Sequence, residues 1–345
     1  MFNYLKKNDS FYVAGHNGMV GSAIVKALIK KGYCDEKSGG KLYVKSKKEL
    51  DLTSYENVLS WFKINKPSIV IIAAAKVGGI YANSKYPYEF ISENLKIQQN
   101  IIEAAWINGT RRLLFLGSSC IYPKFSNLPI QEEELLGSYL EKTNEPYAIA
   151  KIAGLKLCEA IRNQYGFDAI SLMPTNLYGP GDNYHSENSH VLAALLKKFI
   201  LAKKNNSKNV TCWGSGKPLR EFLHVDDFAL ACIYVLEKWN PDDNYAPKNN
   251  DEKLYYLNVG SGEEISIKEL AETIAFYCKY EGKINWDQSK PDGTYRKNLD
   301  ISRLNSLGWN AKISLKEGIK RLIKEIENTL NENNTKVRDL KNFFN

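Results

Sequence analysis

The stretch FYVAGHNGMVGSAIVKALIKKG, Phe11 to Gly32, constrains this chain more than any other. A short apolar run leads into Gly15, Gly18 and Gly21, and apolar residues at helical spacing follow (Val20, Ala23, Ile24, Ala27, Leu28). A strand that enters a helix through such a turn sets backbone N–H groups and the positive helix end against a pyrophosphate. Gly15 would make the turn, Gly18 would let phosphates approach, and Gly21 would let the helix pack close to the sheet. A lone glycine triplet says little, but strand, turn and helix stand here in the required order. The expectation is a dinucleotide site.

The alternation continues along the chain. KLYVKSKKELDL and PSIVIIAAA read as strands, YEFISENLKIQQNIIEAAWING as a helix, and RRLLFLGSSCIYP as a strand and loop. YAIAKIAGLKLCEAIRNQYG reads as a helix and DAISLMPTNLYGPG as a strand and loop. Strands and helices in this order predict an α/β fold, a doubly wound Rossmann-type parallel sheet with ligands at the carboxyl ends of its strands. The expected organisation is a nucleotide-binding domain over 1–178, with returning segments near 224–260. A smaller mixed α/β substrate domain is expected from 179–223 and 261–330, and a polar tail over 331–345. WGSGKPLREFLHVDD reads as a polar loop joined to a helix, LYYLNVGSG as a strand returning to the main sheet, and ISLKEGIKRLIKEIENTL as a closing amphipathic helix.

Composition narrows the classes. A chain of 345 residues, 43% of them hydrophobic, can bury a large core and is not a disordered chain. The net charge of +8 is spread without a long basic block, which argues against a nucleic-acid partner, while a positive balance suits a polyanionic small ligand. The six cysteines (Cys34, Cys120, Cys158, Cys212, Cys232, Cys278) form no CxxC pair. The start has no apolar stretch of signal-peptide length, and no run of about 18 apolar residues follows. The expectation is a cytoplasmic protein with reduced thiols and no membrane partner.

The second strand bears on the cofactor. An acidic residue at its end would suit a ribose 2′-hydroxyl, and cations a 2′-phosphate. Lys45, Lys47 and Lys48 stand there, which favours NADP(H). A solvated basic loop is the simpler alternative. Further on, EPYAIAK places Tyr147 and Lys151 one helical turn apart, on one face. Asn144 is a candidate N-cap and Pro146 falls in the first turn. Upstream, the loop GSSC (Gly117 to Cys120) leaves a strand's carboxyl end. Ser118, Tyr147 and Lys151 thus converge on one mouth. A cation beneath a phenol lowers its pKa from about 10 and eases proton donation to a developing alkoxide, and a serine hydroxyl can stabilise that oxygen.

At these residues the chain resembles the extended short-chain dehydrogenase/reductase family. GHNGMVG matches its glycine motif, YAIAK its YxxxK, and Ser118 its upstream serine. AAAKVGGIYAN, LLFLGSSCIYPK, NSHVLAALLKKF, WGSGKPLREFLHVDD and KPDGT narrow the likeness to the branch that epimerises and reduces GDP-4-keto-6-deoxy sugars. The resemblance implies catalytic Ser118, Tyr147 and Lys151, with Cys120 and His190 as the acid/base pair that inverts C3 and C5. It implies a cofactor held by Gly15, His16, Asn17, Gly18, Met19, Val20 and Gly21. Lys47, Lys48, Asp51 and Leu52 would take its ribose end, and Leu116, Gly117, Ser118, Ser119, Tyr147, Lys151, Pro174, Thr175, Asn176, Leu177 and His190 the remainder. Lys198, Trp213, Arg220 and Asp292 would take the GDP-sugar; no metal is implied, and His185 has no role. A homodimer is implied too, built on the helix of Lys151 and the one from Tyr88 to Asn108.

Two positions depart from the family pattern: Asn17 where arginine is frequent, and Tyr295 where proline is usual. Tyr295 fits a bulkier sugar such as a GDP-linked 6-deoxy-heptose, and with it a plain 4-reductase. A dehydratase would need an acidic pair where Ser119 and Cys120 stand. A silent NADP-binding scaffold would not need a proton donor.

Overall fold

The computed structural model describes residues 3–185, 188–290 and 292–331, so the expected tail from 332 onward lies outside it. Six parallel strands form the main sheet: β1 (Ser10–Ala14), β2 (Lys41–Tyr43), β3 (Ile69–Ile72), β4 (Arg112–Leu116), β5 (Asp168–Pro174) and a late strand, β11 (Tyr256–Val259). Their order is β2-β1-β3-β4-β5-β11. The near-continuous apolar runs IVII and RLLFL follow from burial on both faces, because helices cover each side. Alternate residues divide between the two. Phe11, Val13, Ile71 and Leu114 pack against α1 (Met19–Lys30) and α7 (Val225–Lys238). Tyr12, Val70, Leu113 and Phe115 pack against α2 (Tyr55–Asn65), α4 (Pro87–Ile107) and α5 (Glu145–Tyr165). Winding reverses between β1 and β3, which opens a crevice at the carboxyl ends of those strands.

A second set of elements stands beyond β5. Strand β7 (Asn209–Trp213) pairs in parallel with β13 (Lys283–Asp287). Strand β8 (Leu219–His224) lies between β12 (Glu264–Ser266) and β14 (Arg296–Lys297) and also pairs with β6 (Asn176–Tyr178). Helices α6 (Val191–Lys204), α8 (Ile267–Cys278) and α10 (Leu315–Asn331) bury Leu196, Phe199, Ile274 and Ile323 in a third core. Short elements complete the chain: α3 (Ile80–Lys85), the hairpin of β9 (Lys248–Asn249) and β10 (Glu252–Lys253), and α9 (Ser302–Ser306).

Two local expectations are corrected. LREFLH is strand β8 rather than loop; its Glu221 is fully buried, and a buried carboxylate hides the apolar pattern of a strand. Asn144 stands at the N-cap position of α5, but its side chain makes no capping bond. No helix among the described residues is long and apolar enough to cross a membrane.

Candidate active site

The glycine turn closes at the end of β1. Gly18 N–H donates to Gly15 O at 2.9 Å, and Gly15 adopts φ +86°, a conformation that favours glycine. A Cβ on Gly15 would lie 2.6 Å from Ala74 N, and one on Gly21 would lie 2.2 Å from Gly15 O. Gly18 occupies the N-cap of α1 with no side chain across the helix end. The N-terminal N–H groups of α1 therefore face a cradle that any side chain would fill, and that geometry fits a dinucleotide pyrophosphate. His16, Asn17, Met19 and Val20 belong to the same turn, and the backbone of Gly181 packs against Met19.

The remaining cofactor candidates cluster at neighbouring strand ends. Leu116 ends β4, Gly117 and Ser119 follow it, and Gly117 N–H is bonded to Leu172 O at 2.9 Å. Pro174 ends β5, Thr175 N–H donates to Val259 O at 2.9 Å, Asn176 Nδ2 donates to Glu221 O at 2.9 Å, and Leu177 lies in β6. Beyond β2, Lys45 pairs with Glu49 at 3.3 Å, whereas Lys47 and Lys48 are exposed. Asp51 accepts from the Thr53 hydroxyl at 2.8 Å, and Leu52 O accepts from Asn100 at 3.0 Å.

Ser118, Cys120, Tyr147 and Lys151 form one group. Ser118 starts the 3-10 turn Ser119–Ile121; its Oγ accepts from Cys120 N–H at 3.2 Å, and its hydroxyl favours the charged form of the neighbouring Tyr147 phenol. Lys151 Nζ donates to Leu116 O at 2.8 Å and lies 4.9 Å from the Phe115 ring and 5.9 Å from the Tyr147 ring. Burial dominates the electrostatics. It pushes the Tyr147 phenol up, further helped by the nearby Cys120, while the Ser118 hydroxyl opposes it. It pushes Lys151 down to about 8. Burial therefore dominates the phenol, in the opposite sense to the acidification expected from Lys151.

His190 stands at the N-cap position of α6, makes no side-chain capping bond and is exposed. Its loop joins the group indirectly. Asn188 O accepts from Gly79 N–H at 3.0 Å, Gly78 leaves no room for a Cβ beside Ala82 and Phe90, and the Phe90 ring stands edge-on to Tyr147 at 6.2 Å. A cavity of about 330 Å³ opens between Lys76, Phe90, Asn183 and Asn188. Among the described residues, no group of three or more His, Cys, Asp or Glu could hold a metal ion.

The substrate candidates lie on α6 (Lys198), β7 (Trp213), β8 (Arg220) and at Asp292. Trp213, 55% exposed, lies under two ammonium groups, Lys198 and Lys290, each 5.5 Å from its ring centre. Lys198 also donates to Thr211 O at 2.8 Å. Asp292 accepts from Ser215 N–H at 2.6 Å and from its hydroxyl at 2.8 Å, which holds its carboxyl below the usual range. Arg220 donates to Leu219 O at 2.7 Å, and burial lowers its pKa while the charge of Asp292 opposes that. Sequence reasoning missed Lys290, Ser215 and Phe90. Lys290 opens the KPDGT motif, but its approach to Trp213 depends on the pairing of β13 with β7, which no local pattern announces.

A doubly wound sheet with a glycine cradle at its first turn and a Ser, Tyr and Lys group at its fourth strand defines a nucleotide-dependent enzyme. The chain belongs to the NAD dependent epimerase/dehydratase family, whose model matches residues 11–249. It is 53% identical over 313 residues to GDP-L-fucose synthase 1 of Arabidopsis thaliana, covering 91% of each chain. It is 51% identical over 308 residues to GDP-L-fucose synthase of Escherichia coli (strain K12), covering 89% of this chain and 93% of that protein. Among solved structures it is similar to MlghC, a GDP-mannoheptose C4 reductase from Campylobacter jejuni with NADP bound. That match has 35% identity and a TM-score of 0.82, over 94% of this chain and 99% of that one.

Proposed function

We propose that this protein reduces the 4-keto group of a GDP-4-keto-6-deoxy-hexose with NADPH after inverting C3 and C5. The observation that carries the reading is the grouping of Ser118, Cys120, Tyr147 and Lys151 at the end of β4, in a chain half identical to proteins named GDP-L-fucose synthase. When bound, NADPH supplies the hydride. The glycine cradle holds its pyrophosphate, and the exposed Lys47 and Lys48 attract its 2′-phosphate. Ser118 and Tyr147 hydrogen-bond the ketone oxygen, and Tyr147 passes its proton there as negative charge develops. Lys151, buried beneath the phenol, offsets the phenolate left behind.

The 4-ketone acidifies the C3 and C5 hydrogens, so a thiol on one face and an imidazole on the other can remove and return protons. Cys120 and His190 take those roles, a thiol and an imidazole being groups that can take and return protons near neutral pH. Trp213 stacks on the nucleotide base, Arg220 and Lys198 meet the diphosphate, and Asp292 fixes the loop beside them. Residues 1–178 with 224–260 serve as the cofactor domain, and 179–223 with 261–330 as the sugar-nucleotide domain. The proposed setting is the cytoplasm. The proposed assembly is a homodimer through α4 and α5, which expose Tyr88 and Ile149; light scattering at micromolar concentration should return twice the chain mass.

The test is turnover of GDP-4-keto-6-deoxymannose with NADPH in deuterated water. The reading expects NADPH oxidation and deuterium at C3 and C5. A second reading, a plain 4-reductase for a GDP-heptose ketone, is favoured by Tyr295, which is 71% exposed at the substrate segment, and by the likeness to MlghC. Unlabelled product and preference for the heptose ketone would select it.

A further inference from the structure

A buried run of hydrogen bonds connects the Cys120 loop to the last third of the molecule. Tyr122, two residues past Cys120, is 2% exposed, and its hydroxyl donates to Asn258 Oδ1 at 2.5 Å. Asn258, on β11, is wholly buried; its N–H donates to Glu132 Oε1 at 2.9 Å and its Nδ2 to Ile130 O at 2.9 Å. Glu132, 1% exposed, accepts through Oε2 from Arg303 Nη1 of α9 at 2.5 Å. The Tyr256 hydroxyl donates to Glu132 O at 2.5 Å. A carboxylate buried this deeply persists only when its oxygens are engaged, and here both are.

The two sides of the loop are anchored differently. Gly117 N–H is bonded to Leu172 O of β5, and Lys151 Nζ to Leu116 O at the end of β4, so the reductive side is fixed to the main sheet. The chain leaves the sheet after Leu116; Cys120 N–H is held locally, by Ser118 Oγ at 3.2 Å, and past Cys120 the first side chain tied to the core by a hydrogen bond is Tyr122. We infer that Tyr122, Asn258 and Glu132 are positioning residues for the Cys120 thiol, which set the proton-exchange half of the reaction apart from the reductive half. This rests on the bifunctional reading above. A displacement of about 1 Å in a reacting group costs on the order of 100-fold in rate. Loosening Tyr122 therefore slows exchange at the sugar carbons while Gly117 and Lys151 keep their own anchors.

The test is Tyr122→Phe, which keeps the ring and removes only the hydroxyl. Single-turnover deuterium incorporation from the unepimerised ketone is compared with NADPH oxidation on a pre-epimerised ketone. Exchange should fall about tenfold or more, while reduction stays within about threefold and KM for the sugar nucleotide within about twofold. Asn258→Ser removes the acceptor of the same bond and should give the same split; the melting temperature of each variant verifies that it is folded. Equal losses in both halves, an effect confined to KM, or wild-type exchange in both variants overturns the inference. Unlabelled product from the wild-type enzyme sinks the bifunctional reading, and the inference with it.

Discussion

Replacing Lys151 by methionine should abolish reduction and yet make the ligand-free protein more stable at neutral pH. Lys151 is 4% exposed, and burial lowers its pKa from the ordinary 10.5 to about 8, which corresponds to about 3 kcal/mol of penalty on the charged form. Methionine retains the contact with the Phe115 ring but loses the bond to Leu116 O, which is worth about 1 kcal/mol. The net gain at pH 7 is about 2 kcal/mol. The sign of its pH dependence is fixed. Between pH 8 and 10.5 the unfolded chain holds a proton that the folded one has released, so wild-type stability rises with pH through this window. The advantage of the variant should therefore shrink from pH 8 upward, vanish at about pH 10, where the remaining penalty only matches the lost hydrogen bond, and reverse above it. Urea unfolding of both proteins at pH 7 and pH 10, without cofactor, measures it. A variant less stable than wild type at pH 7, or a difference that does not change with pH, would refute the reasoning.

Tyr147→Phe removes the proton donor but leaves the cradle intact, so reduction should fall by about 100-fold or more while NADPH affinity by fluorescence titration stays within about twofold. Gly21→Ala puts a methyl 2.2 Å from Gly15 O, a backbone atom that cannot rotate away; it should lower unfolding free energy by about 1–3 kcal/mol and raise KM for NADPH. Changing Lys47 and Lys48 together to alanine should reduce the ratio of kcat/KM for NADPH over NADH several-fold, and an unchanged ratio would remove them from 2′-phosphate recognition.

The parallel sheet and the glycine turn were legible in the sequence because both depend on local spacing: apolar runs of strand length, and glycines where a Cβ has no room. The Ser, Tyr and Lys group was legible for the same reason, since one helical turn fixes Tyr147 above Lys151. The sense of the electrostatics was not. Spacing reports that a cation is near, whereas the energy depends on how much water the fold removes, and that belongs to the whole domain. β8 was hidden because Glu221 is satisfied by N–H groups of Gly262 and Leu299, far along the chain. Lys290 was hidden behind a strand pairing of the same long range. Asn144 marked the start of α5 correctly without performing the capping that its identity suggested.

The Glu132 anchor also governs the order in which the chain can finish folding as it is made. Its carboxylate belongs to the first half, but its partners are Asn258, 126 residues later, and Arg303, 171 residues later. At roughly 5–20 residues per second, a ribosome takes about ten seconds or more to supply them. Until then a nascent chain can assemble β1 to β5 but leaves the edge of β5 open and Glu132 in water. The Cys120 loop is consequently the last part of the site to be set. Truncated products ending before β11 should be caught by cellular quality control rather than released as partly active enzyme.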